Sequence, residues 1–504
     1  MAKAAPTVIA DSLVVRAVAA RDEHDILFAD DAGDVTVAAM LRFAEAFDAS
    51  LRSCFLDRQS RICVVMPAGR LLAMTIVTAM SVSACAPLDP RLTLEEFTTI
   101  FDDLRADAVV STIDYAPAAR AAAQRRGMTI LEVAEPATIT IAQNSSARPV
   151  EHAPGHALLL HTSGTTSRPK LVGLTEENLL SSARSIAATL RLGPADRCLN
   201  VMPLFHIHGI VGVVLSSIVG GSSIELASRF DPFAYRRQLG GREITWTSAV
   251  PSIYRAALTR SAPERAEPLR FLRSSSAPLP TNVWQHLEAT FQCPVVNSYG
   301  MTEASHQMTS NPLPPDERRL GTVGPSAGSE VSILEDGHVT DVRGVVGEVV
   351  VRGPSVIEGY APTSSLTPDS HTDGWFRTGD LGSLDAAGYL TLHGRIKEII
   401  NVAGEKVSPF EVEEVVGLHP AVAEAVAFAA PDHLRGEQVC VAVVLHERAD
   451  RPTDRDLQRF AAETLAPFKV PRRFVLMKSI PLGPTGKVQR ARLAAQLGLD
   501  HRGE

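Results

Sequence analysis

Paired cysteines, an excess of positive charge and long apolar runs are all missing from this sequence of 504 residues. Its six cysteines are scattered, a pattern that suits reduced, buried thiols and argues against a disulfide framework. The formal net charge of −8 offers nothing to a nucleic acid or an anionic membrane. No stretch reaches the ~18 apolar residues of a membrane span, and the N-terminus has no long apolar core. These absences predict a cytoplasmic protein with no membrane span and no nucleic-acid partner.

The remaining composition, with 45% hydrophobic and 21% charged residues, is ordinary for a soluble globular protein. The length suits about three domain-sized cores of ~150 residues. Apolar runs at 61–66, 85–88 and 108–111 predict buried strands, and residues 71–82 predict a helix between the first two. This alternation predicts an α/β fold with parallel sheets covered by helices. The Ala-rich stretch from about 116 to 155 is interpreted as connecting material.

A smaller unit follows at the C-terminal end of the chain. Ser-Pro-Phe-Glu at 408–411 predicts a capping box with Pro409 at the first helical position, and Thr453 predicts the start of another helix. Apolar runs at 422–429 and 439–445 predict strands beside them. We therefore predict a small α+β domain at 394–504 and a large N-terminal domain at 1–393.

The most distinctive loop is Thr-Ser-Gly-Thr-Thr-Ser-Arg-Pro-Lys at 162–170, which follows three leucines typical of a buried strand. Small residues, hydroxyls, backbone N–H groups and the Lys170 ammonium can together hold a polyphosphate. The loop is not a Walker A motif, since no Gly-Lys-Ser/Thr follows at the required spacing. A simple polar surface turn is the alternative.

Two further apolar runs end in polar residues, Arg-Ser-Ser-Ser-Ala-Pro at 273–278 and Asn-Ser-Tyr-Gly-Met-Thr-Glu at 297–303. Ligands bind beyond the carboxyl ends of the strands in open parallel sheets. Both segments are therefore predicted to converge with the 162–170 loop on one nucleotide.

Four signatures in a fixed order resemble the adenylate-forming superfamily, which includes acyl-CoA synthetases, peptide-synthetase adenylation domains and firefly luciferases. They are the 162–170 loop, Tyr-Gly-Met-Thr-Glu at 299–303, Trp-Phe-Arg-Thr-Gly-Asp at 375–380 and Gly-Arg-Ile-Lys-Glu at 394–398, followed by Pro-Thr-Gly-Lys at 484–487. The resemblance covers essentially the whole chain. It implies a large adenylating domain of stacked sheets and a mobile C-terminal domain that rotates about Lys397.

The resemblance implies a role for each signature residue. Glu303 would bind Mg²⁺, Thr302 the α-phosphate, and Lys487 would bridge the carboxylate and α-phosphate oxygens as the catalytic lysine. Asp380 would accept the ribose hydroxyls with help from Arg395. The phosphate-loop residues are Thr162, Ser163, Gly164, Thr165, Thr166 and Lys170; the residues framing the nucleotide base are Ser275, Ser276, Ala277, Asn297, Ser298, Tyr299 and Gly300; and those expected to face coenzyme A after rotation are Gly404, Glu405 and Lys406.

Phe-His-Ile-His-Gly at 205–209 allows two interpretations from the residues alone. Alternation along a strand would place His206 and His208 on one face, as in a metal site, but zinc needs further ligands and none is close in sequence. A structural role at a core edge or turn is the alternative. The family resemblance adds a third possibility, in which this segment lines the acyl pocket.

The identity of the acid rests on a finer resemblance. The 161–170 segment and Met-Thr-Glu-Ala-Ser-His at 301–306 closely resemble the oxalate–CoA ligases. His208, Ser274, Ser276 and His306 would supply donors for the second carboxylate of a compact diacid, and a protonated histidine would add a matching charge. The implied substrates are ATP, coenzyme A and a small carboxylic acid, with Mg²⁺ as cofactor, and the enzyme would be a monomer or a dimer.

Three alternatives stay open at this point. The acid could be a medium-chain or aryl acid, whose pocket would be apolar. The acceptor could be a separate carrier protein in place of coenzyme A. A non-catalytic nucleotide binder or a luciferase-like oxidase could also use the same fold.

Overall fold

A computed structural model describes residues 11–135, 137–145, 152, 155–162, 170–240, 243–258, 269–361, 370–446, 449–482 and 488–499. The strands of the described residues are β1 Ile26–Asp30, β2 Gly33–Thr36, β3 Arg61–Val65, β4 Ala84–Pro87, β5 Ala108–Ser111, β6 Thr129–Ala134, β7 Thr138–Gln143, β8 Leu158–Thr162, β9 Lys170–Leu174, β10 Arg197–Asn200, β11 Ser223–Leu226, β12 Trp246–Ala249, β13 Phe271–Ser274, β14 Val295–Met301, β15 His306–Ser310, β16 Glu330–Glu335, β17 His338–Thr340, β18 Gly347–Arg352, β19 His371–Thr372, β20 Trp375–Leu384, β21 Leu390–Arg395, β22 Ile400–Val402, β23 Glu405–Val407, β24 Val422–Asp432, β25 Gly436–Leu445 and β26 Arg473–Leu476.

The helices of the same residues are α1 Leu13–Ala19, α2 Val37–Ser53, α3 Arg70–Val82, α4 Leu94–Leu104, α5 Pro117–Arg125, α6 Glu176–Thr189, α7 Ile207–Gly209, α8 Ser216–Gly220, α9 Pro232–Leu239, α10 Pro251–Leu258, α11 Thr281–Phe291, α12 Pro409–Gly417, α13 Asp454–Ala462 and α14 Arg490–Gln496. None of these helices is long and apolar enough to cross a membrane.

Two large sheets with parallel centres form the body of the chain, as predicted. One has the order β7-β6-β5-β3-β4-β8-β9 and the other β15-β14-β13-β12-β10-β11-β1-β2. Their central pairs are parallel, and an antiparallel strand lies at each edge. These edge strands are β7 and β9 in the first sheet and β15 and β2 in the second. Every residue of β3 is buried, because helices cover both faces of a parallel sheet.

Helix α3 lies between the two sheets, where it contacts β3 and β4 of one and β1 of the other. All its residues from Leu72 to the C-terminal end are buried, so it needs apolar and small residues on every side. The predicted elements at 61–66, 71–82, 85–88 and 108–111 are confirmed as β3, α3, β4 and β5.

The interpretation of residues 116–155 as connecting material is wrong in part. Helix α5 and strands β6 and β7 lie in this stretch, and β6 extends the parallel sheet beside β5. The exposed face of β7 and the alanines of α5 obscured the hydrophobic period from which elements are recognised.

A third sheet, with the order β17-β16-β18-β20-β19 and β21 on β20, is antiparallel throughout. Strand β20 alternates between buried and half-buried residues over its whole length, so one face packs on the core and the other is partly open. This strand carries Asp380, and β21 carries Arg395 directly opposite it.

The fourth sheet, β23-β22-β25-β24 with β26 on β25, forms the core of the C-terminal α+β unit. Its two predicted helices begin where expected. Ser408 caps α12 by accepting a hydrogen bond from Glu411 N at 3.3 Å, but the Glu411 carboxylate binds Lys469, so the predicted capping box is only half formed. Thr453 and Asp456 form a reciprocal capping box at α13. Strand β21 of the third sheet ends at Arg395 and β22 begins at Ile400. The predicted boundary between residues 393 and 394 lies within β21, and the division into two domains stays a prediction.

The turn from β14 into β15 brings two backbones unusually close. A Cβ atom on Gly300 would lie 1.3 Å from the carbonyl oxygen of His306, so only glycine fits there. The pairing register shifts between Tyr299 and Gly300, which marks a bulge in the hairpin. This close approach sets the position of Thr302, Glu303 and His306 relative to the end of β14.

We expect Gly300→Ala to destabilise the protein by at least about 3 kcal/mol, because the methyl group meets backbone that cannot rotate away. Thermal unfolding of the full chain measures the loss. Gly193→Ala is the matched control, since a Cβ atom there meets nothing within 4 Å. Equal melting temperatures for the two variants would contradict the close approach.

Candidate functional site

The phosphate loop connects two antiparallel strands of the first sheet. Strand β8 precedes the loop and β9 follows it, and Thr162 pairs with Lys170. The hydroxyl of Thr162 donates a hydrogen bond to the Lys170 carbonyl oxygen at 3.4 Å, which closes the base of the loop. The predicted ligands Ser163, Gly164, Thr165 and Thr166 lie outside the described residues, as does the predicted catalytic residue Lys487.

Lys170 is linked to the predicted metal ligand through one tyrosine. Its ammonium group lies 4.3 Å from the ring centroid of Tyr360, and the Tyr360 hydroxyl donates a hydrogen bond to Glu303 Oε1 at 3.0 Å. Burial and the nearby Glu303 carboxylate raise the pKa of Tyr360, so the phenol keeps its proton and remains a donor. Sequence reasoning did not identify Tyr360, because it belongs to none of the signatures.

Glu303 lies in a single 3-10 turn, Thr302–Ala304, directly after β14. Its side chain is buried, and its backbone carbonyl accepts a hydrogen bond from Ile357 N at 2.9 Å. Among the described residues no group of three or more possible ligands could hold a metal ion. Mg²⁺ is usually bound by one or two carboxylates together with substrate phosphates and water, so the single carboxylate of Glu303 is compatible with this ion.

Tyr299, Asp380 and Arg395 form a connected group at the third sheet. The Tyr299 hydroxyl donates to Asp380 Oδ2, and Arg395 Nε lies 3.0 Å from Asp380 Oδ1. The Asp380 charge raises the pKa of Arg395, and burial together with that charge raises the pKa of Tyr299. A carboxylate has about four lone-pair sites, so Asp380 can still accept hydrogen bonds from vicinal hydroxyls.

The polar residues that end β13 and β14 mostly bind each other. Ser275 Oγ donates to the Ser298 carbonyl oxygen and Ser298 Oγ to the Ser274 carbonyl oxygen, both at 3.3 Å. The Asn297 amide donates to the Thr322 carbonyl oxygen at 3.0 Å. These bonds hold the two strand ends together and leave Ala277, Tyr299 and Gly300 beyond them. Among the described residues, Ser274 Oγ and Asn297 Oδ1 have no hydrogen-bond partner.

His208 and His306 stack in the interior, with ring centroids 4.8 Å apart and an interplanar angle of 26°. His208 lies between two hydroxyls, with Nε2 2.7 Å from Ser248 Oγ and Nδ1 3.1 Å from Ser276 Oγ. The residues after α7 form a π-helix, Ile210–Leu215, a rare geometry that often accompanies functional sites. A Cβ atom on Gly212 of this helix would lie 2.6 Å from His306 Nε2, so a glycine is needed beside the ring.

The expectation that His206 and His208 share one face of a strand is wrong. His206 is the N-cap of α7 and His208 lies within it; His206 Nδ1 accepts a hydrogen bond from His208 N at 3.2 Å. This capping interaction supports the turn interpretation of His206, and the described residues contain no third ligand for a metal. His208, in contrast, points into the polar interior.

Arg273 is the principal residue that sequence reasoning missed. Its guanidinium is fully buried and donates to Ser248 Oγ at 3.3 Å, His306 Nε2 at 3.1 Å and Gln307 Oε1 at 3.0 Å. A guanidinium can only donate, so His306 Nε2 must be an unprotonated acceptor. The expected protonated histidine is therefore replaced, at His306, by a neutral ring beside an arginine. The signal available in the sequence was a lone charge in the apolar strand Phe-Leu-Arg-Ser at 271–274.

The C-terminal unit contacts the large domain through polar side chains. The Asn282 amide donates to the Gly417 carbonyl oxygen at 2.8 Å, Thr281 N donates to Glu414 Oε1 at 3.2 Å, and Arg255 pairs with Glu424. These contacts are polar, as contacts at transient interfaces often are.

The connecting segment and the hairpin expected to meet coenzyme A both belong to this unit. Lys397 lies in the 3-10 turn Ile396–Glu398 between β21 and β22. Gly404, Glu405 and Lys406 form the exposed tip of the β22–β23 hairpin.

Comparison with known proteins agrees with the ordered signatures. The family described as AMP-binding enzyme matches residues 15–361, and the AMP-binding enzyme C-terminal domain matches residues 411–487. An oxalate–CoA ligase of Arabidopsis thaliana is 40% identical over 431 residues, which cover 82% of this chain and 83% of the relative. A sulfoacetate–CoA ligase of Cupriavidus necator is 33% identical over 501 residues, covering 96% and 97%.

A solved structure extends the likeness to three dimensions. The o-succinylbenzoate coenzyme A synthetase of Bacillus subtilis, in complex with ATP and a magnesium ion, has a TM-score of 0.81 at 25% identity, covering 96% of this chain and 99% of that one. Fold, signature order and sequence identity all agree. The chain therefore belongs to the AMP-binding enzyme family and is an acyl-CoA synthetase of the adenylate-forming superfamily.

Proposed function

We propose that this chain is an AMP-forming oxalate–CoA ligase. The observation that carries the proposal is the buried polar cluster formed by Arg273, His208, His306 and Ser248, with the half-buried Ser276 hydrogen-bonded to His208. A medium-chain or aryl acid needs an apolar wall, whereas a second carboxylate needs donors and a positive charge. The oxalate–CoA ligase and the sulfoacetate–CoA ligase among the relatives are both named for small acids with two anionic groups, which supports the same substrate class.

The first half-reaction is attack of a carboxylate oxygen on the α-phosphorus of ATP, which forms an acyl-adenylate and releases pyrophosphate. The 162–170 loop with Lys170 would hold the β- and γ-phosphates, and Thr302 the α-phosphate. Asp380, with Arg395 and Tyr299, would bind the ribose. Mg²⁺ bound at Glu303 would neutralise phosphate charge when present.

Lys487 would hold the reacting carboxylate against the α-phosphate during this step. Two anions must meet there, so a cation placed at the developing charge lowers the barrier. The base would lie beside Ala277 and Tyr299, beyond the hydrogen bonds that join β13 to β14.

The second half-reaction would be attack of the coenzyme A thiolate on the acyl carbon of the adenylate, which forms the thioester, breaks the bond to the phosphate oxygen and releases AMP. The tip with Gly404, Glu405 and Lys406 would reach the adenylate only after rotation about Lys397, with residues 394–504 moving as the mobile domain. The polar contacts of Asn282 and Thr281 with this unit suit an interface that forms and breaks. Transfer to a separate carrier protein is the alternative second step. We expect a cytoplasmic enzyme, monomeric or dimeric.

The reaction class is tested by acid-dependent exchange of labelled pyrophosphate into ATP. We expect exchange that requires Mg²⁺ and is faster with oxalate than with malonate, sulfoacetate, acetate, octanoate or coumarate. Failure of all six acids would refute adenylation. A preference for octanoate or coumarate would refute the oxalate assignment and leave the reaction class intact, and light emission with oxygen would point to the luciferase-like alternative.

Removal of either stacked histidine should weaken use of oxalate. A hydrogen bond to a charged group contributes about 1.5–3 kcal/mol, so kcat/KM for oxalate should fall roughly 10- to 150-fold in His208→Ala and in His306→Ala, with the KM for ATP unchanged. His286→Ala, at an exposed histidine of α11, is the matched control. Full oxalate activity in both variants would show that the cluster does not contact the acid.

Lys487→Ala should separate the two half-reactions. We expect adenylation to fall by at least about a hundredfold, because a preorganised cation at the reacting centre is lost. Thioester formation from chemically prepared oxalyl-adenylate should stay close to the wild-type rate, since Lys487 would have rotated away. Equal damage to both steps would contradict a domain rotation between them.

A further inference from the structure

Arg273 occupies a position that normally excludes charge. It lies on β13, in the centre of the eight-stranded sheet, and its side chain has no exposed surface. The buried Arg490, in contrast, pairs with two carboxylates, those of Glu398 and Glu413. Among the described residues no Asp or Glu forms an ion pair with Arg273, whose acceptors are a serine, a histidine and a glutamine.

The charge of this guanidinium is therefore not balanced by the described part of the chain. Burial lowers the pKa of Arg273 to about 10, so it remains protonated at neutral pH. Its Nε also has no hydrogen-bond partner there. A buried cation is costly unless an anion accompanies it, and a bound anionic ligand is the remaining source of one.

The hydrogen bonds of Arg273 connect it to the residues that would meet such an anion. His306 Nε2 accepts from the guanidinium, which places the single imidazole proton on Nδ1. His306 stacks on His208, and His208 in turn is hydrogen-bonded to Ser276 at the end of β13. Arg273 thus fixes the tautomer of one ring, and its charge acts on the whole cluster across a dry interior.

We propose that Arg273 is a positioning residue that sets the charge specificity of the enzyme: through His306 and His208 it selects acids that carry a second anionic group. The inference rests on the proposed function only in that the acid binds at the histidine cluster, and it does not require the diacid to be oxalate. Arg273 lies behind the histidines and is not itself proposed to touch the reacting atoms.

The test uses pairs of acids that differ by one charge at nearly constant shape: oxalate and oxamate, malonate and malonamate, succinate and succinamate. For each pair, the ratio of kcat/KM for the diacid to that for its monoamide measures charge preference. The variants are Arg273→Met, which removes the charge, and Arg273→Lys, which keeps it. Arg236→Met is the matched control, since Arg236 is also a buried arginine without a hydrogen-bond partner among the described residues, and it lies over Phe291, outside the histidine cluster.

We expect Arg273→Met to reduce the diacid preference by about tenfold or more, chiefly through the KM for the diacid, while the KM for ATP stays constant. Arg273→Lys should keep most of the preference, and Arg236→Met all of it. A purely structural role would lower both members of each pair equally and leave the ratio unchanged, which would overturn the proposal. Equal loss in the Lys and Met variants would also overturn it, because geometry and not charge would then decide.

The outcome is separable from that of the proposed function. If the wild type prefers another diacid and Arg273→Met abolishes that preference, the oxalate assignment fails and the inference stands. If the wild type prefers oxalate and the variant keeps the ratio, the inference fails and the assignment stands. A wild type that prefers the monoamide in every pair overturns both.

The pH profile of the ratio distinguishes arginine from histidine as the source of charge. The titratable groups facing Arg273 are His208, His306, Tyr254 and Cys198. Burial raises the pKa of Tyr254 and that of Cys198 well above their ordinary values. Arg273 stays charged from about pH 6 to about pH 9, so the wild-type diacid preference should be constant over this range. A preference that falls as pH rises through about 6.5 would assign the charge to a histidine and overturn the proposal.

Discussion

The pairing of β13 with β14, followed by the tight return into β15, is the constraint on which the site depends. Serine hydroxyls link the ends of the first two strands, and the absence of a side chain at Gly300 lets the third approach closely. Residues from three strands thereby converge: Arg273 from β13, Glu303 after β14 and His306 from β15. A slip of one residue in any strand would turn these side chains to the opposite face.

Charge is distributed unevenly over this convergence. At the proposed ribose subsite, Asp380 is matched by Arg395 and bound by Tyr299. At the proposed metal subsite, Glu303 is held by Tyr360, which also contacts the ammonium of Lys170. At the proposed acid subsite, the described residues supply Arg273 with neutral acceptors. In the proposed function, each subsite would be complementary to a different part of the reactants: hydroxyls, a cation with phosphates, and an anion.

The packing around the acid subsite leaves little freedom for its donors. The π-helix and Gly212 make room for the His306 ring, the His208 ring stacks against it, and Ser248 accepts from Arg273 while lying beside His208. These hydrogen bonds hold the side chains in place, because breaking one would leave a buried polar group unpaired, which is costly. Small acids can gain specificity from this rigidity, since they have little apolar surface of their own to bury.

The sequence by itself determined the reaction class and most of the architecture. Continuous apolar runs identified β3, β4 and β5, and the capping residues Ser408 and Thr453 located α12 and α13. Four ordered signatures identified the family. These features are local, so neighbouring residues in the chain suffice to reveal them.

Only the tertiary structure decided how the polar residues share the interior. Tyr360 reaches Glu303 from 57 positions along the chain, and Arg273 reaches His306 from 33. The fold also converted His206 into a helix cap and made the neighbouring His208 a member of the buried cluster, although both belong to one short motif. Hydrogen-bond partners and the protonation they impose depend on distances between remote segments, and a period of two or of 3.6 residues contains no information about those distances.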